Sequence, residues 1–511
     1  MSIVDDREFR IPSPTEMFLL VAAGWAGLCL VLMLFSERVR STLTRMSRTA
    51  ADLVSGGDLE SLLPIIMVTG VLAIASAFAV FSRWERGFIV ALLVSFSFAD
   101  STWTAGHYLA FAVKYMAIIY LAAFGVFFAF RNWNRVHSPV HWLVIAYCIW
   151  MGLIVIYYGG RINDIWYFGT QFTLVIAFGV GWMSRIDTVD KLMSFNILLA
   201  YASIGITILH MLSPLVAPQV FDGGRFISQF TNATGFATSY VFFVISLVWL
   251  AIVHPQPMIR RLATAFALFG VIMIVLSGTR NATAALGCAI IFLSIALRSK
   301  VVFYAAGIAG FAGAAVFLLV GDNDAVSNIS GRMASVNNTR IELWEVYLRS
   351  TFERPIFGWG PGGRTGAYYG SRAQELAEAY TSRGFAPGVH NAILGQTVRF
   401  GYLGLVLFLS LFGYAFWRAK EIILSKGVPQ SLKVAYSLPV AILVTLFLEG
   451  AFEDNFSSGR GSIVNVLFAT MVILVVMFAD RIKDRIASGG LYPDELEEIK
   501  PPEPPKKLVH I

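Results

Sequence analysis

The chain has 511 residues, of which 57% are hydrophobic and only 14% are charged, whereas soluble globular chains carry roughly 25% charged residues. The mean hydropathy of +0.69 and the many apolar runs that reach the ~20 residues needed to cross a bilayer exclude an ordinary soluble protein. The formal net charge of +7 fits basic loops facing anionic headgroups and gives no reason to expect nucleic acid as a partner. The composition therefore predicts a polytopic membrane protein embedded in the lipid bilayer.

The lengths of the apolar runs predict about fourteen transmembrane spans. Since lipid cannot satisfy exposed backbone N–H and C=O groups, every span must close its hydrogen bonds within itself, and we expect an all-α helical bundle of about 12–14 spans. The predicted spans lie approximately at residues 17–35, 62–82, 87–104, 108–130, 140–158, 165–184, 192–215, 235–253, 261–277, 282–297, 301–320, 392–417, 433–451 and 461–480.

Polar segments between the apolar runs divide the chain into five parts. Most parts are groups of spans, but one is a single long outward loop, and the last is a Glu-, Pro- and Lys-rich tail that we expect to be cytoplasmic and disordered. In chain order the parts are N-terminal spans at 1–215, an outer loop with central spans at 216–320, the large loop at 321–391, C-terminal spans at 392–480 and the tail at 481–511.

The orientation of the spans follows from the basic residues of the short loops. Loops rich in Lys and Arg face the cytoplasm, and they alternate along this chain with loops that carry few of them. The alternation puts the loops at 216–234, 277–281, 321–391 and 452–460 together on the outward side. The loop at 36–61 carries four arginines although alternation places it outside, and its side stays open.

The large outward loop is the longest polar stretch, and loops of this length are commonly functional. Its sequence predicts helices over 339–352 and 371–379, separated by a glycine-rich run at 358–363. The run lacks the Lys-Ser/Thr pair and the preceding strand of a P-loop. We therefore expect a tight turn there and not a nucleotide site.

The outward side also gathers a proton acceptor and two fixed cations. His390 closes the large loop just before an apolar run, and histidine can accept a proton near neutral pH. Arg225 and Arg280 lie in two other outward loops, and guanidinium groups bind phosphate bidentately at any working pH. Together these residues indicate chemistry on an anionic, lipid-borne substrate.

Each of these residues also has a purely structural interpretation. Arg280 at a span end could snorkel toward headgroups. Arg225 could be a solvated loop cation, and His390 could cap a helix or pack a loop. His107, near another outward span end, is the second choice for a base.

Three carboxylates, Glu449, Glu453 and Asp454, cluster at a further outward span end. They could form a second acid/base group, or they could simply be a solvated helix end. Carboxylates without clustered His or Cys make a poor metal site. We therefore expect neither a metal nor another cofactor.

Four pieces of sequence, in this order on one membrane face, resemble the O-antigen ligase and polysaccharide polymerase superfamily of bacterial inner membranes. They are an outer-loop arginine with a downstream asparagine, a Ser-x-Ser-Arg type turn in which Thr279 replaces the second serine, the opening of the large loop, and its close with the next span. In this chain they read Gly224-Arg225-Phe226 with Phe230-Thr231-Asn232, Leu276-Ser277-Gly278-Thr279-Arg280-Asn281, Arg340-Ile341-Glu342-Leu343-Trp344 with Pro355-Ile356-Phe357-Gly358-Trp359-Gly360, and His390-Asn391-Ala392-Ile393-Leu394 with Gly401 and Gly404. The resemblance covers about residues 220–410.

The resemblance implies a glycosyltransferase that moves a glycan from a polyprenyl diphosphate carrier to an acceptor hydroxyl, at the periplasmic face of the bacterial inner membrane. The acceptor is the lipid A core in a ligase and a growing polysaccharide in a polymerase, and the sequence does not decide between them. His390 is then the expected base, with Arg225 and Arg280 on the diphosphate. Further candidates for substrate contact or loop order are Arg340, Asn391 and Arg332.

Two other classes of protein fit the number of spans. A transporter or lipid-glycan flippase tends to place ionisable groups near the bilayer midplane between repeats, whereas the notable charges here lie at outer span ends and the sequence has no evident repeat. A non-catalytic subunit of an export assembly would have no reason to bring His and Arg together at one cleft. Whether Arg225, Arg280 and His390 line one outward-facing cavity discriminates between these classes.

Overall fold

The computed structural model describes residues 139–158, 188–213, 220–299 apart from 223, 229 and 231, 339–361, 389–425, 428–453 and 463–487, together with scattered positions between 125 and 186. This part of the chain is almost entirely helical. Its helices are α1 (Pro139–Tyr157), α2 (Val189–Met211), α3 (Ala233–Val253), α4 (Pro257–Leu276), α5 (Arg280–Ala296), α6 (Thr339–Glu353), α7 (Ala392–Ile423), α8 (Gln430–Phe452) and α9 (Ile463–Ala487). Two strands of two residues each, β1 (Phe221–Asp222) and β2 (Arg225–Phe226), pair antiparallel between α2 and α3.

Six of these helices, α1 to α4, α7 and α8, are long and apolar enough to cross a membrane, and α5 is an apolar helix of 17 residues. The chain is therefore an all-α polytopic membrane protein, as its composition predicts. The predicted helix at the start of the large loop is confirmed as α6. The spans predicted before residue 139, most of the one at 165–184, the one at 301–320 and the helix at 371–379 lie outside the described residues.

The helices α3 and α8 form the centre of the bundle. In their most apolar stretches 78% and 72% of the residues are buried, against 28% for α4. Because apolar lipid offers no hydrophobic drive for helices to associate, such contacts depend on close packing and on interhelical hydrogen bonds. Trp249 of α3 donates to the carbonyl of Val434 on α8 at 3.0 Å, and Asn196 of α2 donates to Ala435 of α8 at 2.7 Å.

Polar contacts between the described helices gather at two ends of the bundle. At one end an ion network joins Arg418 near the end of α7 to Glu421 and Asp480, and Lys483 of α9 pairs with the same Glu421. The opposite end holds the close of the large loop, the start of α3, the turn between α4 and α5 and the end of α8. All of the described site candidates lie at this second end.

Candidate functional site

Arg225 is held by a small hairpin that the sequence did not predict. The pairing of Asp222 with Arg225 places the arginine on β2. The hairpin is fixed to α2 by a 2.9 Å hydrogen bond between His210 Nδ1 and Ser228 Oγ, both of which are buried. Ser228 has a φ of 55°, an uncommon conformation for a residue other than glycine. The backbone that carries Arg225 is therefore anchored to α2.

The Arg225 side chain reaches the tight turn between α4 and α5. Its Nε donates to the carbonyl of Ser277 at 2.7 Å, and a terminal nitrogen donates to Thr279 Oγ1 at 3.2 Å. Thr279 Oγ1 in turn donates to the carbonyl of Ala233 at the start of α3. Arg225 is half-buried, so the interpretation of this residue as a simple solvated cation is wrong.

Arg280 follows directly as the first residue of α5, and its side chain is exposed. The two arginines therefore meet at one turn, one bonded to it and one projecting from it. The N-terminus of a helix presents unsatisfied N–H groups and a partial positive charge, which favour an anion. This turn therefore brings two arginines and a helix N-terminus together.

The residue after Arg280 connects the turn to α8. Asn281 Nδ2 donates to Glu449 Oε2 at 2.8 Å, and Thr238 of α3 donates to the same oxygen at 3.3 Å. Glu449 is fully buried, and Glu453 one turn later is 5% exposed. For Glu449 and Glu453, the interpretation as a solvated helix end is therefore wrong.

His390 meets that acidic pair from the other direction. Its Nδ1 lies 3.1 Å from Glu453 Oε2, and a third of its side chain is exposed. The backbone of His390 has a φ of 46°, and the left-handed region is costly for a residue with a Cβ unless its surroundings hold it there. An ionised carboxylate can only accept a hydrogen bond, so the contact favours a proton on Nδ1 and leaves the lone pair of the neutral ring on Nε2.

A continuous chain of contacts thus joins the three residues that the sequence singled out. It runs from Arg225 through the turn to Arg280 and Asn281, then through Glu449 and one helical turn of α8 to Glu453 and His390. The backbone N–H of Glu453 donates to the carbonyl of Glu449 at 2.8 Å. Four separate segments of the chain therefore contribute to one site.

The turn after α6 docks on a sharp kink in α7, near the start of the helix that follows His390. Gly401 has φ 69° and ψ −177° inside this helix, which interrupts the regular hydrogen bonding. The turn after α6 fills the gap, because Trp359 N donates to Val398 O at 2.7 Å and Tyr402 N donates to Pro355 O at 2.7 Å. Trp150 of α1 donates to the carbonyl of Phe400 at 2.8 Å.

The described part of the glycine-rich run, residues 358–361, begins with a tight turn in which Gly358 N donates to Arg354 O at 3.0 Å, and its glycines allow close approach of two backbones. Gly358 has a φ of 63°, and a Cβ there would lie 2.5 Å from the carbonyl carbon of Arg399. Arg354 packs over the ring of Trp359, 4.3 Å from its centre, and donates to the Tyr158 hydroxyl at 2.8 Å. That hydroxyl donates to the carbonyl of Gly358.

The other predicted residues fall in different places. Asn391 caps α7, since its side chain accepts from Leu394 N at 2.9 Å, and this supports a role in loop order. Arg340 lies in the first turn of α6. Arg332, Asp454 and His107 lie outside the described residues.

Sequence reasoning missed Asn281 and Thr238 as partners of Glu449, and it did not pair Glu453 with His390. The available signal was the position of these polar residues at the ends of apolar runs on one predicted face. Among the described residues, no group of three or more His, Cys, Asp or Glu is arranged to hold a metal ion.

One segment of the chain matches a known protein family. Residues 265–409 match a family model described as O-Antigen ligase, a segment that includes Arg280, Arg340 and His390 but not Arg225. No curated protein matches the chain. The matched family is O-antigen ligase-like, which implies an enzyme and lipid-linked glycan and polysaccharide substrates in a membrane. Residues 265–409 are thus similar to the O-antigen ligase family, and this match confirms the resemblance of the chain to the O-antigen ligase superfamily.

Proposed function

We propose that the protein is an inner-membrane glycosyltransferase that moves a glycan from a polyprenyl diphosphate carrier to an acceptor hydroxyl. The acceptor is the lipid A core or a growing polysaccharide chain, and the active site faces the periplasm. The observation that carries the proposal is the hydrogen-bonded chain from the turn of Arg280 to the His390–Glu453 pair. It joins two cations to a histidine–carboxylate pair, which are the groups that such a transfer requires.

The proposed base is His390, acting through Nε2. A sugar hydroxyl is a poor nucleophile, and a base within hydrogen-bond reach assists its attack. Glu453, fixed by its burial, holds Nδ1 of the ring and stabilises the imidazolium that forms. This role resembles that of the carboxylate in histidine-based triads.

The proposed reaction is a single displacement at the anomeric carbon of the donor sugar. The acceptor oxygen forms a bond to that carbon while the bond from the carbon to the diphosphate oxygen breaks. The hydroxyl proton goes to His390, and both bonding electrons leave with the polyprenyl diphosphate. Arg225, Arg280 and the N-terminus of α5 lie where positive charge can stabilise the departing anion.

The location of buried ionisable groups favours an enzyme over a transporter. In the described part of the chain, each buried His, Lys, Arg or Glu lies within about two turns of a helix end or just beyond it. These residues are His141, His210, Arg399, Arg418, Lys433, Glu449 and Glu453. A transporter that binds its substrate at the midplane is expected to place such groups in the middle of its spans.

The test is an in vitro transfer assay with purified protein, a lipid-linked glycan donor and separate acceptors. We expect a product with either lipid A core or a second lipid-linked glycan, which also distinguishes a ligase from a polymerase. Release of polyprenyl diphosphate should accompany each transfer. Movement of the donor across proteoliposome membranes without any transfer product would instead support the flippase alternative.

A further inference from the structure

The helix α6 carries an exposed apolar edge beside an exposed charged edge. Successive residues in a helix lie about 100° apart, so Leu348 and Phe352 fall on one side of its exposed half and Arg349 and Glu353 on the other. Glu345, which forms an ion pair with Arg349, lies between the two sides near the start of the helix. Phe352 is 67% exposed, which is unusual for so large an apolar side chain facing water. The helix therefore has three environments around it: the protein, water and a third, apolar one.

The apolar edge continues into the turn after α6. Ile356 is 59% exposed, and the Phe357 ring stacks on Tyr157 at the end of α1, with 4.7 Å between ring centres. We call Leu348, Phe352, Ile356 and Phe357 the apolar edge. Arg354 within the same turn points back to Trp359, so its charge does not interrupt this surface.

The apolar edge is continuous with the outer surfaces of two spans. On α1 it joins Leu153 and Ile156, which are exposed, and on α7 the Phe352 ring approaches Tyr402, next to the exposed Leu403 and Val406. Both helices are candidate membrane spans, so their exposed apolar residues face lipid.

We infer that the apolar edge inserts into the acyl region of the leaflet on the His390 side, so that α6 lies along the membrane surface. Its charged edge then faces the aqueous phase. Interfacial helices divide their surface in this way, with aromatic and aliphatic residues in the headgroup–acyl boundary. Trp344 of α6 donates to the carbonyl of Val389, and the turn after α6 docks on the kink in α7. The insertion of the apolar edge therefore holds the close of the large loop at a fixed depth in the membrane. The inference concerns membrane contact alone and does not depend on the proposed reaction.

The test uses the full chain with Cys29, Cys148 and Cys288 replaced. Single variants Phe352→Cys and Ile356→Cys are labelled with a fluorophore, and Glu353→Cys on the charged edge of the same helix is the matched control. Each protein is placed in phospholipid nanodiscs, which leave both faces open, with doxyl-labelled lipid or with iodide in the water. We expect doxyl lipid to quench the probes at 352 and 356 and iodide to quench the probe at 353.

Two results would overturn the inference. Quenching of all three probes by iodide would place the apolar edge in water, and protection of 352 and 356 from both quenchers would mean that protein covers it. A second measurement avoids substitution altogether. A photoreactive diazirine lipid, activated on the unmodified protein, should form adducts within residues 348–357, and adducts found only on spans would contradict the insertion.

Discussion

His390 and Glu453 are 63 residues apart in the chain, yet Nδ1 of the first lies 3.1 Å from Oε2 of the second. The contact joins the close of the large loop to the residue that follows α8. Glu453 is buried and tied by its backbone N–H to Glu449, so the carboxylate is the fixed partner and the histidine ring is the group that it orients. In the proposed reaction, Nε2 is therefore the ring nitrogen that accepts the proton.

Replacing His390 should abolish transfer without unfolding the protein. Asn is the better substitute, because it tolerates positive φ, whereas His390→Ala adds backbone strain to the loss of the base. We expect His390→Asn to lower kcat by ~10²–10⁴-fold, the usual worth of general-base assistance. The measurement is transfer by purified protein, with unchanged elution on size exclusion as the control. Near-normal transfer would make His390 a structural loop residue.

Glu453→Gln tests the partner of that histidine. The amide keeps the size of the side chain but can turn either its oxygen or its NH₂ group toward Nδ1, so the ring loses its fixed orientation. We expect kcat to fall by up to about 10²-fold, as small misplacements of catalytic groups can cause, while the KM for the donor changes little. A rise in the KM for the donor by a similar factor, with kcat unchanged, would instead indicate a role in donor binding.

The two arginines should not tolerate lysine. Arg225 donates through two different nitrogens to Ser277 O and Thr279 Oγ1, and a lysine ammonium cannot reproduce that fork. Hydrogen bonds to charged groups contribute about 1.5–3 kcal/mol, so Arg225→Lys and Arg280→Lys should each lower kcat/KM by about 10–10²-fold. Alanine should be worse at both positions.

The matched control for these variants is Arg349→Lys. Arg349 forms an exposed i,i+4 pair with Glu345 on α6, and such surface pairs contribute little. Transfer by Arg349→Lys should therefore equal that of the unmodified protein. If Arg280→Lys performs as well as this control, the diphosphate site must lie elsewhere.

The approximate positions of the described helices could be predicted from apolar run length, because the bilayer fixes that length, although α7 and α9 extend six and seven residues beyond the predicted spans. The turn before Arg280 and the start of α7 after His390 follow from this pattern. The pairing of Glu453 with His390 could not be predicted, since it depends on how α7 and α8 pack. The contact of Arg225 with the turn before α5 could not be predicted either, because the two-residue strands β1 and β2 carry no periodic signal. Gly401 sits in an apolar run that is typical of an ordinary helix, and only the packed turn at Pro355 reveals why the helix kinks there.

Gly401→Ala should destabilise the protein and loosen the site. A Cβ there would lie 1.9 Å from the carbonyl oxygen of Ile356, and backbone strain alone at such a φ and ψ costs about 1–3 kcal/mol. The control is Gly413→Ala in the same helix, where an added Cβ meets nothing within 4 Å. That change should be neutral or raise stability by about 0.5–1 kcal/mol. Thermal unfolding in detergent measures both, and an equal Tm for the two variants would contradict the docking of the turn on the kink.

The orientation of the site in the membrane follows from the alternation of basic loops and needs its own test. Residues 321–391 are expected outside and the chain after Ala479 inside, so a membrane-impermeant maleimide should distinguish the two ends. Glu345→Cys on α6 and Asp484→Cys on α9 are exposed reporter positions, each introduced after the three native cysteines have been replaced. In spheroplasts we expect labelling at 345 alone, and labelling at both positions once the membrane is solubilised. Labelling at 484 but not at 345 would reverse the orientation, and it would remove the proposed reaction from the periplasm because His390 lies at the same end of the bundle as α6.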